Sequence, residues 1–435
     1  MSFVLYNIIQ IVLYLSFLAS IYIEHAISLS IVNVACWLTI ISCAVYFYKL
    51  ERRFVTPVTC YFLSFFIFIM SRPLLYPIVD EDIISIGDGV NDENIIVAIC
   101  FSMLTFLIIN VLFKLFLTLG LKLSLLLPDI KVHDKSLSKL AIYMSIALSL
   151  LFLYSSYKNY IILGSSANYF VFIDSLNSSY FKFFFFSKYL ILIYLALSDN
   201  KKSLLYSAIL IFVASIGFML IGLRGYTIAY FFLMLIAYDI YYKIKLRYLL
   251  LISIVALLLS ASVLSFRLGY DVFIDDGIVN IIAKTLFQQG ASFEVVFGAV
   301  NFHQQLDHCI SYLDYFNGMS FGDCVDKVRG VTFEQGGFAS SFFAEAIYFM
   351  PIYPIIIILF SFFLSFVQNC YSGLVKSESF NKKYMFIIFF LTPNVVYFAR
   401  SSSFDFIEKS FQSIVFIIVI FYILNSLKGK KIERT

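Results

Sequence analysis

Residues 95–117 read IIVAICFSMLTFLIINVLFKLFL. Lys114 is the one charge in this window, and an apolar stretch of about 18 residues or more is long enough to cross a bilayer as a helix. Asp92 and Glu93 stand immediately before it. Similar runs recur along the chain, which is 61% hydrophobic and only 13% charged over 435 residues. A soluble domain carries about 25% charged residues, so composition and periodicity together exclude a soluble globular fold. The fold class is an all-α, polytopic transmembrane helix bundle forming one membrane domain over residues 1–435.

Apolar windows fall at about 3–23, 27–48, 57–75, 95–117, 140–160, 183–198, 203–222, 226–242, 248–266, 341–369, 384–399 and 410–427, giving about twelve spans. No small-residue cleavage site follows the first, which reads as a retained span. No internal repeat is evident. Most of the 31 Lys and Arg lie in loops 49–53, 114–139, 199–202, 243–247 and 376–383 and in the tail, while the acidic residues favour the opposite loops. By the positive-inside rule, both termini are expected in the cytoplasm. The acidic loop around Asp80–Glu93, the Gly222-Leu-Arg-Gly225 turn and the segment 267–340 are then outside.

That last segment, between the ninth and tenth predicted spans, is the one long polar insert. Apolar residues at 278, 281, 282, 286, 293, 296, 297 and 300 have roughly helical spacing, which predicts one or two interfacial helices there. Cys36, Cys43, Cys60 and Cys100 fall in or near spans, where cysteine packs as a small apolar residue, and Cys370 falls near the cytoplasmic face. Cys309 and Cys324 both lie in the insert, where an oxidising compartment would allow a disulfide.

Signatures of nucleotide hydrolysis, serine hydrolase chemistry and zinc binding are absent, and no metal or other cofactor is expected. What stands out is a set of arginines on the expected outer face: Arg72, Arg224, Arg267, Arg329 and Arg400. They run against the charge bias, and an anionic ligand would explain them. Guanidinium grips phosphate oxygens in pairs and stays charged. Arg224 sits between two glycines at the mouth of two spans. Arg267 and Arg400 end spans, where an interface anchor is the competing reading. Arg72, before Pro73, reads as an anchor. Glu345 opens an apolar run, where a carboxylate is costly unless paired or wet. With His303 it is a candidate base; His308 and Glu334 are reserves.

At three places the chain resembles the O-antigen repeat-unit polymerases (Wzy): Ile221-Gly-Leu-Arg-Gly-Tyr226, Leu286-Phe-Gln-Gln-Gly-Ala-Ser292 and Ser340-Ser-Phe-Phe-Ala-Glu345. The plan of about twelve spans, with a long external loop after the ninth, resembles them too. Some members carry arginine followed eleven residues later by glycine in two external loops; here positions 235, 278 and 340 are Leu, Ile and Ser. The resemblance implies a polytopic glycosyltransferase of the GT-C type in the bacterial inner membrane, serving lipopolysaccharide biosynthesis. Donor and acceptor would be oligosaccharides on undecaprenyl diphosphate, joined with inversion and without a metal. The implied roles are Glu345, His303 and Arg224 in catalysis and Arg224, Arg267 and Arg400 on the diphosphate. Gln288, Gln289, Ser292 and Arg329 would contact sugars. A chain-length regulator is a candidate partner, alongside the bilayer itself, and no nucleic acid is expected. An O-antigen ligase or a lipid-linked oligosaccharide flippase are the alternatives. The charge asymmetry has a direct consequence: a reporter fused after Asn317 is expected to be active only outside the cytoplasm and one after Lys245 only inside, and cytoplasmic activity at Asn317 would reverse the orientation.

Overall fold

The computed structural model describes residues 3–23, 27–79, 91–120, 135–164, 180–221, 224–268, 277–306, 321–328, 341–349, 353–377 and 380–432, with the backbone alone at 163–164, 224, 263–268, 323, 326 and 427–432. The elements are α1 (Phe3–Tyr22), α2 (Leu29–Glu51), α3 (Pro57–Phe65), a π-helix (Phe66–Met70), α4 (Ser71–Leu75), α5 (Asp92–Leu119), α6 (Lys135–Gly164), α7 (Phe181–Leu197), α8 (Lys201–Leu220) and α9 (Arg224–Tyr242). There follow α10 (Leu246–Leu268), α11 (Ile278–Gln289), α12 (Ser292–Asn301), α13 (His303–Leu306), α14 (Phe321–Val328), α15 (Phe342–Tyr348), α16 (Tyr353–Lys376), α17 (Lys382–Tyr397), a 3-10 turn (Phe398–Arg400) and α18 (Ser403–Ile432). No strand occurs among the described residues. Among the described residues, eight helices are long and apolar enough to cross a membrane, and Leu246–Ser262 is a shorter apolar helix. The protein is therefore an all-α polytopic membrane protein.

Local sequence sets the helix starts. Thr56 caps α3 through a reciprocal bond with Thr59, and Pro57 occupies the first turn, where its missing N–H costs nothing. The Asn91 side chain accepts from Glu93 N, with Asp92 and Glu93 complementing the helix dipole of α5. Gly120 ends α5 in the left-handed region at φ 58°.

At the end carrying the basic loops, one carboxylate ties three elements together. Asp239, fully buried near the end of α9, pairs with Arg53 at 2.7 Å and accepts from the Tyr371 hydroxyl at 2.8 Å and from Ile244 N at 2.8 Å. A buried carboxylate satisfied by a cation and two further donors avoids the cost of an orphaned charge. Lys201 donates to the Leu374 and Ser377 carbonyls, and Lys382 pairs with Asp199.

The opposite end is shaped by the insert. Its expected helical stretch is two helices, α11 and α12, broken at Gly290–Ala291. The expectation of interfacial helices fails for α12, which is buried from Ser292 to Ala299. The reason is Glu294, neutralised by Arg72 of α4 in a 2.6 Å ion pair with both side chains buried. The Arg72 guanidinium also lies 4.7 Å from the centre of the Phe287 ring. The turn enters closely enough for Ser71 Oγ to donate to Leu286 O at 2.8 Å. A Cβ on Gly290 would fall 2.7 Å from the Arg72 backbone nitrogen, so glycine is required there. The π-helix adds a residue to the turn just before Ser71, which alters the face that Ser71 and Arg72 present. Arg72 is thus a buried partner of the insert, not a plain anchor.

Two predicted spans are drawn differently. The window 341–369 is two helices: the short, buried α15 and the long α16, whose second residue is Pro354. A proline inside a continuous helix would remove a backbone bond, whereas at a helix start it is accommodated. The last span begins at Ser403, earlier than 410, because Ser402 Oγ accepts from Asp405 N and Lys409 pairs with Asp405 at 3.0 Å, so the polar first turns are satisfied inside the helix.

Arg72→Met leaves the Glu294 carboxylate buried without that cation. It is expected to destabilise the fold by about 3–5 kcal/mol, and Arg72→Met with Glu294→Met to recover most of the loss. Thermal unfolding in detergent measures both, and a double variant no better than the single one would contradict the account.

Candidate functional site

Of the predicted site residues, Arg400, Gln289 and Glu345 meet at the turn between α17 and α18. Phe398 anchors it among Tyr61 of α3, Phe342 and Phe343 of α15 and Phe360 of α16, with ring centres 4.2–5.7 Å apart. Such offset and edge-on aromatic packing holds backbone in place without polar groups. Ser64 Oγ donates to Val396 O, and Ser341 Oγ donates to Ala399 O.

From this platform Arg400 reaches α11. Its guanidinium donates to Gln289 Oε1 at 3.5 Å and lies 5.8 Å from the Phe68 ring centre. Gln289 in turn donates from Nε2 to Ser260 Oγ of α10 at 3.2 Å. Arg400 and Gln289, expected in different roles, are therefore neighbours. Gln289 is 2% exposed, and its amide links α10 to the α17–α18 turn. Ser292 is also buried, at the start of α12, and Gln288 is half-buried.

Glu345 is fully buried. Its Oε2 accepts from Ser403 N at 2.7 Å and from the Ser403 hydroxyl, so the carboxylate sits at the N-terminus of α18, where backbone N–H groups and the helix dipole favour negative charge. His303 is exposed at the start of α13, and its ring stacks obliquely 5.3 Å from Tyr348, one turn beyond Glu345 on α15.

Arg224 opens α9, and the residues after it join the same turn. A Cβ on Gly225 would fall 2.4 Å from Tyr397 Cε2, so glycine admits the ring. Tyr226 stacks on Tyr397 with centres 5.1 Å apart and planes 17° apart. Arg224 and Arg400 are thereby brought to one end of the bundle on adjoining elements. The Arg267 backbone lies in the last turn of α10, while its side chain, like that of Arg224, lies outside what is described. Arg329, His308, Cys309 and Glu334 lie outside the described residues. Cys324 is disulfide-bonded and buried, whereas Cys36, Cys43, Cys60 and Cys100 are free, buried thiols, as expected of packing cysteines, and Cys370 is also free and buried.

Sequence reasoning missed a second set. The Lys409 ammonium lies 6.0 Å from the Tyr226 ring centre and 5.9 Å from that of Tyr397, besides pairing with Asp405. Lys188, on α7, lies 5.1 Å from the Phe390 ring centre on α17. The signal was present: an ionisable residue within an apolar span marks a functional site by default.

A sequence model of the O-antigen polysaccharide polymerase Wzy matches residues 5–324. An O-antigen polymerase from Escherichia coli is 40% identical over 374 residues, covering 83% of this chain and 82% of its own length. The chain belongs to the O-antigen polymerase Wzy family. No solved structure matches it. The Wzy match contains Arg224, Arg267, Gln289 and His303 and stops short of Glu345, Arg400 and Lys409. As a Wzy protein, the chain is a multi-pass membrane enzyme of lipopolysaccharide biosynthesis that polymerises by glycosyl transfer. Its arginine-bearing first turn of α9 is held against the α17–α18 turn by the Gly225–Tyr397 contact. Gly225→Ala is expected to cost about 1–3 kcal/mol through overpacking and to shorten the O-antigen ladder on a gel at normal protein level. An unchanged ladder would show that the contact does not position the site.

Proposed function

We propose that this Wzy polymerase joins undecaprenyl-diphosphate-linked repeat units at the outer face of the inner membrane, with both termini in the cytoplasm, by an inverting and metal-independent transfer. The observation that carries the reading is a cleft of about 360 Å³ between α8, α9 and α10, lined by apolar side chains such as Phe212, Phe231, Ile252 and Val255. Thr227 and Ser260 are the hydroxyl residues of its lining. From Ser260 the hydrogen-bond chain runs through Gln289 to Arg400. An apolar slot whose polar residues lead to a guanidinium suits a molecule with a hydrocarbon chain and an anionic head. Its volume lies within the roughly 300–1,000 Å³ of ordinary ligand sites.

In this reading the nonreducing-end hydroxyl of the acceptor unit attacks the anomeric carbon of the donor's first sugar. The bond from that carbon to the diphosphate oxygen breaks, and lipid diphosphate departs. Arg224, Arg267 and Arg400 stabilise the charge gathering on the leaving group, the role fixed cations play where charge develops in a transition state. The hydroxyl proton goes to His303, whose imidazole is exposed. Glu345, with one oxygen committed to Ser403, holds the first turn of α18 beside Arg400. Gln288 and Arg329 remain the sugar-facing candidates, and a chain-length regulator the candidate protein partner.

The lipopolysaccharide of a strain lacking this protein tests the reaction. Core bearing one repeat unit is expected, and bare core would instead point to ligation or export. Arg224→Lys tests the phosphate grip, since lysine keeps the charge and loses the paired geometry. Losing a charge-assisted paired contact of ~2–4 kcal/mol slows turnover by roughly 30- to 1000-fold, so a strongly shortened ladder is expected. A full-length ladder would return Arg224 to an anchoring role.

A further inference from the structure

The apolar slot between α8, α9 and α10 has its two hydroxyls at one end. Thr227 lies in the first turn of α9, and Ser260 lies in the second half of α10, the helix that returns after a short turn. Met219, near the end of α8, closes the same end. Leu251, nine residues before Ser260, lines the far part with Phe212 and Phe231, which is about 14 Å along α10 at 1.5 Å per residue. Leu251, Val255 and Leu259 are exposed along the α10 flank, so the slot is open on a side that faces lipid. Under the proposed orientation the hydroxyl end is the outer one.

The hydrogen bonds at that end have a fixed direction. Guanidinium has donors and no acceptor, so the Gln289 group facing Arg400 is its carbonyl oxygen, at 3.5 Å. The amide nitrogen is thereby turned to Ser260, whose Oγ accepts at 3.2 Å. Ser260 is 9% exposed, and among the described residues its own proton has no acceptor. Thr227 differs: its proton is spent on the Ser215 carbonyl at 2.8 Å. Ser260 is thus the hydroxyl of the lining with a donor to give. Each bond of the chain points from Arg400 towards the slot. A cation at the head of such a chain polarises every member in turn, which makes the last hydroxyl a stronger donor.

We infer that Ser260 donates a hydrogen bond to a phosphate oxygen at the head of the prenyl chain lying in the slot, and that Gln289 is the positioning residue that keeps this donor free. The inference rests on the lipid-linked substrate proposed above and names the group that recognises where its hydrocarbon ends and its phosphate begins. Gln289 serves through orientation: with its nitrogen held against Ser260 Oγ, the Ser260 proton is left for the ligand. Neither residue takes part in bond making.

Binding of radiolabelled undecaprenyl diphosphate to the full-length protein in nanodiscs of zwitterionic lipid tests this. Ser260→Ala is expected to weaken binding about ten-fold, the effect of losing one hydrogen bond to a charged group. Ser260→Thr, which keeps the hydroxyl, is expected to recover most of it. A glutamate at 289 would still meet Arg400 but has no proton for Ser260, whose hydroxyl would then turn to the carboxylate. Gln289→Glu is therefore expected to weaken binding with the unfolding temperature unchanged, and in that background Ser260→Ala is expected to cost less than about two-fold more, since both act on one chain. Ser260→Ala within two-fold of the unsubstituted protein overturns the donor. A full ten-fold loss persisting in the Gln289→Glu background overturns the positioning role. Equal displacement of the label by phosphatidylglycerol would mean that the slot takes any lipid phosphate, which overturns the recognition. Failure of the unsubstituted protein to bind undecaprenyl diphosphate at all overturns the substrate reading and this inference together, whereas the outcomes at Ser260 and Gln289 overturn this inference alone.

Discussion

The insert end of the bundle depends on the Arg72–Glu294 ion pair. Both side chains are buried, and the pair joins a helix of the insert to the end of the third predicted span. A buried pair of this kind is weak evidence of added stability, because removing two charges from water is expensive. Its consequence is positional. With Glu294 neutralised, α12 can be enclosed from Ser292 to Ala299, and α11 is drawn against α4, where Phe287 meets Leu75 and Val79. Gly290 permits the approach because no side chain stands between the turn and the Arg72 backbone. Gln289, one residue earlier, is thereby placed between Ser260 and Arg400.

The α17–α18 turn is then assembled from several sides. Aromatic rings hold Phe398, Glu345 takes the first donors of α18, Tyr397 receives Tyr226 across Gly225, and Arg400 meets Gln289. Each contact comes from a different part of the chain, so few residues of the turn can move independently. In the proposed reaction the leaving group is a diphosphate, and its stabilisation would depend on cations fixed before the reaction starts, since donors that must reorganise lose most of their advantage. A platform of packed rings suits that need, which gives the high aromatic content of the chain a local role.

Both ends of the bundle use buried carboxylates as ties. Asp239 collects Arg53, Tyr371 and the Ile244 N–H at the basic end, and Glu345 collects Ser403 at the other. Between apolar helices the hydrophobic driving force is weak in lipid, so polar contacts and close packing carry much of the specificity of assembly.

The sequence alone determined the class of the protein, the places of its helices, the helical spacing inside the insert and the arginines at span ends, because hydrophobic periodicity and charge placement are local and membrane spans must satisfy their own backbone. It also carried three short pieces resembling the Wzy polymerases, and the similarity to the O-antigen polymerases bears that family out. Only the tertiary structure decided what the polar residues do. Arg72 read as an anchor because Glu294, its partner, lies 222 positions away. Gln289 read as a sugar contact because nothing local shows that it is enclosed between Ser260 and Arg400. Glu345 stood out as a costly carboxylate, but Ser403, which satisfies it, belongs to another helix. Pairing of charges and burial of polar atoms are properties of neighbours in space, and a linear pattern records neighbours in sequence.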